Sequence, residues 1–139
     1  MSKTIITYGT FDTFHWGHME LLRRAKELAG RNGKLIVGLS TDEFNAIKGK
    51  KAHHSFEKRK EMLEAIKYVD KIIPEKTWEQ KQADMKKHEI DILVMGDDWK
   101  NSKEFSEIAK IVKTEFLPRT PIISTTEIKE IIKKKTLAY

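Results

Sequence analysis

The sequence predicts an α/β fold: strand-like apolar runs alternate with helical patterns, no linker or repeat divides the chain, and the first run leads through a glycine-bearing turn into a helix. Thr4 to Tyr8 reads as the first strand. Met19, Leu22, Ala25, Glu27 and Leu28 then recur at the spacing of an amphipathic helix, which Gly30-Arg31-Asn32-Gly33 ends as a turn. Lys34 to Leu39 supplies a second strand, and Met62, Leu63, Ile66 and Val69 keep the 3-to-4 spacing of a second helix. Lys71 to Ile73 is a third strand, Trp78 to His88 a polar but helix-favouring stretch, and Ile90 to Met95 and Ile111 to Phe116 two further strands. A last helix begins near Ser124 and ends in Lys133, Lys134 and Lys135, cations that suit the negative end of a helix dipole. Strands alternating with helices imply right-handed parallel crossovers. The expected architecture is therefore a single domain over 1–139, a Rossmann-like doubly wound parallel sheet of about five strands with helices on both faces. In such a sheet, ligands collect at the carboxyl ends of the strands near the topological switch point, so chemistry is sought there.

Composition narrows the function. The chain has 139 residues, 35% charged and 39% apolar, which suits a folded domain and excludes disordered, collagen-like and coiled-coil readings. It has no cysteine, which removes disulfides, thiolate zinc sites and cysteine nucleophiles together. No apolar run approaches the roughly 20 residues of a membrane helix. Met-Ser-Lys-Thr leads straight into the first strand without a signal-peptide pattern, so a cytoplasmic location is expected. Lys plus Arg at 27 against Asp plus Glu at 21 gives a net charge of +6, which favours anionic partners. The lysines are scattered without interleaved aromatics, so nucleic acid is not expected among them.

Three constellations carry chemistry. After strand one comes Gly9-Thr10-Phe11-Asp12-Thr13-Phe14-His15-Trp16-Gly17-His18, in which two histidines three apart share one helical face. In the first turn of a helix they would add imidazole donors to the free N–H groups and dipole that already favour a phosphate. Asp12 is placed to orient a ring or to hold a metal; a zinc site with Asp12 as third ligand has no fourth ligand nearby. The second constellation, Arg119-Thr120-Pro121-Ile122-Ile123-Ser124-Thr125-Thr126-Glu127, fits a capping box, and the arginine and hydroxyls would make the same helix start a second phosphate cradle. The third is Lys48-Gly49-Lys50-Lys51, read as a loop after a strand end, either plain solvated surface or a set of cations folded over the site. Ser55 is an N-cap candidate ahead of Arg59, and Gly96-Asp97-Asp98-Trp99 follows the fourth strand at its carboxyl edge, either as a solvated turn or as a pocket wall.

The string T-F-D-x-x-H-x-G-H after a first strand resembles the signature of the cytidylyltransferase family of the H-x-G-H nucleotidyltransferases. The resemblance continues through Ser40 to Asn45, Tyr68-Val69-Asp70, Ile73 to Lys76, Trp78 to Lys81, Met95 to Trp99, Arg119-Thr120 and Ile123 to Thr126. It implies transfer of CMP from CTP to a phosphorylated alcohol. The implied acceptor is sn-glycerol 3-phosphate, giving CDP-glycerol and pyrophosphate for a teichoic-acid-like or capsular polymer; the alternative is another polyol phosphate or phosphoethanolamine. It also implies Mg2+ or another divalent cation with CTP, and a homodimer. By the same resemblance, His15, His18, Lys48 and Arg119 are the catalytic set, and Thr10, Phe11, Lys50, Asp98, Thr120, Ser124, Thr125 and Thr126 join His15, His18 and Arg119 in holding the nucleotide. Lys48, Arg59, Lys67 and Lys81 are implied to hold the acceptor. The chain departs from the family pattern at Ile122, where glycine is usual, beside Pro121, and at Lys67, where arginine is common and only its fork-shaped guanidinium binds phosphate bidentately.

Overall fold

The computed structural model describes residues 2–119, so Thr120, Ser124, Thr125, Thr126 and the last expected helix lie outside the described residues. The chain order is β1 (Thr4–Gly9), α1 (Trp16–Ala29), β2 (Lys34–Ser40), α2 (Asp42–Ile47), α3 (Phe56–Glu64), β3 (Lys71–Glu75), α4 (Gln80–Lys87), β4 (Ile92–Gly96), a 3₁₀ turn (Asp97–Trp99), α5 (Lys103–Ile108) and β5 (Lys113–Leu117). The five strands form one sheet in the order β3-β2-β1-β4-β5, every pair parallel, as the alternation of strand and helix requires.

Period-two alternation sends successive residues to opposite faces. Ile5, Leu35, Val37, Leu39, Ile92 and Val94 pack with Leu22, Ala25 and Ala29 of α1 and Leu63 of α3 in one core. Ile6, Ile36, Leu93 and Met95 pack on the other face with Met85 of α4 and Phe105 and Ile108 of α5. Both faces are covered, which is why the strands are apolar on both sides.

Several expected boundaries move, each for a local reason. α2 and α5 were not expected. Six residues each is too short for a periodic signal, and α2 is set by Thr41, whose Oγ1 accepts the Phe44 N–H at 3.1 Å, with Asp42 and Glu43 in its first turn. Consequently the lysine loop follows a helix and not a strand end. α3 starts earlier than the apolar spacing suggests and stops at Glu64, because Ser55 caps its first turn; Ile66 and Val69 pack on the core from the turn beyond it. The third strand runs on to Glu75, and Ile90 and Ile111 precede β4 and β5 instead of starting them. Gly30 ends α1 at φ 77°, followed by Asn32 at φ 68°, as the turn reading required.

One register feature makes room for a ligand. β1 pairs with β2 as far as Gly9↔Leu39, but its pairing with β4 stops at Ile6↔Leu93. β1 is where the strand order reverses, with β2 on one side and β4 on the other, so the crevice opens at the switch point of the sheet.

Candidate active site

A cleft of about 570 Å³ lies at the carboxyl ends of the strands, lined by Tyr8 to Asp12 at the end of β1, Lys48, Lys50, Lys51 and Ala52 beyond α2, Glu75 and Trp78 at the end of β3, Met95, Gly96, Asp98 and Trp99 at the end of β4, and Leu117 to Arg119 at the end of β5. The position follows from topology, since parallel strands deliver all their outgoing loops to the same edge.

The loop after β1 is held by contacts on three sides. Gly9 is required because a Cβ there would meet the Phe11 ring at 2.8 Å. Phe11 itself turns into the left-handed region at φ 49°, as does Thr13 at φ 43°. For a phenylalanine and a β-branched threonine these conformations are unfavourable and persist only under constraint. The constraint is visible. Phe11 is buried in the core under α1, and the buried Asp12 carboxylate accepts the backbone N–H groups of His53 and His54 at 2.6 and 3.0 Å. Asp12 thus ties the loop of β1 to the end of the lysine loop.

The two histidines form the start of α1 together. His15 is the N-cap and not a first-turn residue: its Nδ1 accepts the Gly17 N–H at 3.0 Å, while the His15 N–H donates to Nδ1 of His18 at 3.2 Å. The result is a capping box made of imidazoles. Because both Nδ1 atoms accept, each ring carries its proton on Nε2 and presents an Nε2–H donor. The rings stack at 3.9 Å, and both residues line the cleft. Burial, with the neighbouring His15 second, pushes the His18 pKa down to about 3 against an opposing pull from Asp12, so the His18 imidazole is a neutral donor at physiological pH.

Lys48, Lys50, Lys51, Arg24 and Arg119 bring positive charge to the same cleft, whose counterweights on the wall are Asp12, Glu75 and Asp98. Lys48 is half-buried over the Phe44 ring at 4.7 Å. Burial lowers its pKa, Glu75 raises it, and Lys50, Lys81 and Arg59 lower it further. Thr10 lines the cleft, and its hydroxyl donates to Asn45 at 3.1 Å.

Three of the acceptor-side expectations move away from the cleft wall. Arg59 is 1% exposed. Its Nη1 donates to the Thr10 and Ser40 carbonyls at 2.9 and 2.8 Å, its Nε to the His54 carbonyl at 3.0 Å, and its Nη2 pairs with Asp42 at 2.8 Å. It stitches the outgoing ends of β1 and β2 to the lysine loop. Lys81 is equally buried and pairs with Glu75 behind the wall. Lys67 is exposed, with its ammonium over the Tyr68 ring at 5.3 Å, and is not among the residues lining the cleft. Among the described residues no group of three His, Asp or Glu converges as a metal cage, and the buried carboxylates on the wall are already engaged, Asp12 by two N–H groups and Glu75 by Lys81. The described residues therefore offer no ready cage for a resident ion.

The site also holds residues not singled out from the sequence: Tyr8, Leu21, Arg24, Glu75 and Phe105. Arg24 had a signal. Gly17, Leu21 and Arg24 are spaced i, i+4, i+7, one stripe of α1 continuing from the histidine motif along the cleft. Glu75 and Phe105 show no such spacing, because they come from separate elements, the end of β3 and α5.

The family described as cytidylyltransferase-like matches residues 6–131. The glycerol-3-phosphate cytidylyltransferase of Bacillus subtilis is 55% identical over 130 residues, spanning 94% of this chain and 97% of the relative. That of Staphylococcus aureus is 52% identical over 128 residues, spanning 92% and 93%. Among solved structures, the lipopolysaccharide core biosynthesis protein of Thermoplasma volcanium superposes with a TM-score of 0.70 at 21% identity, over 88% of this chain and all of that one, a likeness of fold.

Proposed function

The chain belongs to the cytidylyltransferase-like family, and from that premise we propose that its cleft transfers CMP from CTP to sn-glycerol 3-phosphate, releasing pyrophosphate and forming CDP-glycerol. The observation that carries this reading is the convergence of two Nε2–H donors with Lys48, Lys50, Lys51, Arg24 and Arg119 in one cleft at the switch point, an arrangement built for two polyanions. Relatives of the same length bearing that activity supply the identity of the substrates.

The reaction needs no covalent enzyme intermediate. A phosphate oxygen of glycerol 3-phosphate attacks the α-phosphorus of CTP in line, the new P–O bond forms, the bond to the β-phosphate oxygen breaks, and pyrophosphate leaves with the electron pair. A phosphate dianion is already a nucleophile, so no general base is required. His15 and His18 donate to the α-phosphate oxygens as negative charge gathers there. Lys50 and Arg119 stabilise the leaving pyrophosphate, Lys48 faces the acceptor phosphate, and Asp98 at the rim accepts a hydrogen bond from the ribose or the base of the nucleoside. Thr120, Ser124, Thr125 and Thr126 belong to the same proposal as further triphosphate donors. Mg2+ or another divalent cation enters on the triphosphate, as part of the substrate. A homodimer, a cytoplasmic location and service to a teichoic-acid-like polymer complete the proposal; light scattering checks the first.

The test is pyrophosphate release by the purified protein across CTP, ATP, GTP and UTP, with and without sn-glycerol 3-phosphate. Release confined to CTP with glycerol 3-phosphate is expected. Absence of any nucleotide-dependent release would overturn the reading.

A further inference from the structure

Lys48 and Lys50 line the same cleft although only Gly49 separates them. In a continuing helix, residues i and i+2 point about 200° apart, so α2 has to end between them if both are to face one ligand site. It ends on a defined turn. The Lys48 N–H donates to the Phe44 carbonyl at 3.0 Å, the Gly49 N–H to the Ala46 carbonyl at 3.0 Å, and the Lys50 N–H back to the Asn45 carbonyl at 2.8 Å. The last two are the paired bonds of a Schellman cap, which places a left-handed residue where Gly49 stands at φ 74°.

The turn is anchored at both ends. Asn45, whose carbonyl receives Lys50, is 1% exposed, and its Oδ1 accepts the Ser40 hydroxyl at 2.8 Å and the Thr10 hydroxyl at 3.1 Å. Beyond the turn the chain is fastened again where Asp12 takes the His53 and His54 N–H groups. Within this span the two ammonium groups settle on different rings. Lys48 lies 4.7 Å from the centre of Phe44 and 5.9 Å from Trp78, whereas Lys50 lies 6.0 Å from Trp99. The Trp78 and Trp99 rings are 6.4 Å apart, so the turn spreads the cations over one aromatic pair, from the β3 side of the cleft to the β4 side.

We propose that Gly49 is a positioning residue for the reaction: its left-handed turn swings Lys50, and not Lys48, over the cleft to meet the leaving pyrophosphate. Lys48 is fixed without it, since its backbone bond to Phe44 and its seat on the Phe44 ring both belong to α2 ahead of the turn. Gly49 is exposed, and a Cβ built there would have nothing within 4 Å. A side chain at this position meets no clash, and its cost is the left-handed backbone alone, which most L residues resist and asparagine tolerates. Alanine would therefore loosen the cap and release Lys50 from the cleft without disturbing either core.

This inference rests on the reading of the cleft as the site for CTP and glycerol 3-phosphate, and the experiment keeps the two apart. Steady-state pyrophosphate release with CTP and sn-glycerol 3-phosphate is measured for wild type, Gly49→Ala, Gly49→Asn, Lys50→Gln and the double variant carrying Gly49→Ala and Lys50→Gln. Gly49→Ala should lower kcat/KM for CTP by about five- to tenfold and leave the KM for glycerol 3-phosphate within about twofold, while Gly49→Asn stays within about threefold of wild type throughout. With Lys50→Gln already present, Gly49→Ala should change kcat/KM by no more than about twofold, because the group it positions is gone. Gly49→Ala at wild-type activity overturns the proposal, as do equal losses for alanine and asparagine, a loss that falls on the KM for glycerol 3-phosphate, or an undiminished loss beside Lys50→Gln. Wild type without pyrophosphate release would instead sink the reading of the site.

Discussion

His15 and His18 each perform two tasks with one ring. Nδ1 caps α1, and the proton this leaves on Nε2 serves the substrate. His18→Ala should therefore lower kcat by roughly 10²–10³ through the loss of one charge-stabilising donor, and steady-state kinetics at saturating substrates checks this; turnover within a few-fold of wild type would contradict the assigned role. Protonation gives an independent signature. The His18 pKa falls to about 3 when folded, against an ordinary value of 6.5, because burial and His15 disfavour its charged form. The unfolded chain thus binds the extra proton between those values, so this contribution to stability is fully present above pH 6.5 and is lost as pH falls from 6.5 towards 3. Thermal melts across that range should show a steeper acid decline in wild type than in His18→Ala.

The loops leaving β1 and β2 and the loop beyond α2 are shaped by buried polar contacts more than by their own preferences. Gly9 clears the Phe11 ring, Asp12 gathers the His53 and His54 N–H groups, and Arg59 bonds carbonyls from three chain segments at once. Gly9→Ala would drive a methyl into the ring at 2.8 Å and should cost about 1–3 kcal/mol, with reduced CTP turnover as the loop shifts; urea denaturation and kinetics together measure it. Arg59→Lys keeps the charge but loses the planar fork that reaches Thr10, Ser40, His54 and Asp42 together. The carbonyls left without donors should cost roughly 1–3 kcal/mol, and the same denaturation measurement applies. Both effects belong to the element, because the same buried contacts tie these loops to one another.

Across the whole molecule, a net charge of +6 is concentrated in effect by folding, which brings Arg24, Lys48, Lys50, Lys51 and Arg119 from separate segments to one edge of the sheet. Clefts lined by one sign of charge raise the local concentration of anionic substrates, and salt screens that attraction. The KM for CTP should accordingly rise between about 50 and 200 mM salt, while the melting temperature, which rests on two apolar cores, stays nearly constant. A KM indifferent to salt would show that the cationic edge does not recruit substrate.

The sequence by itself determined the alternation of strands and helices, the parallel sheet that follows from it, and the histidine motif at the end of β1, because these are written in local periodicity and in residues close together in the chain. It also marked Lys48, Lys50, Asp98 and Arg119, which do line the cleft. Short helices such as α2 and α5 escaped it, since six residues carry too little period to be read. The burial of Arg59 and Lys81 escaped it too: a cation in a sequence looks solvated, and only the packing of Asp42, Glu75 and a ring of aromatics around these two makes burial affordable. Where β1 and β4 part, and which residues from five strand ends face one another across that gap, are set by contacts distant in sequence, and the tertiary structure alone decided them.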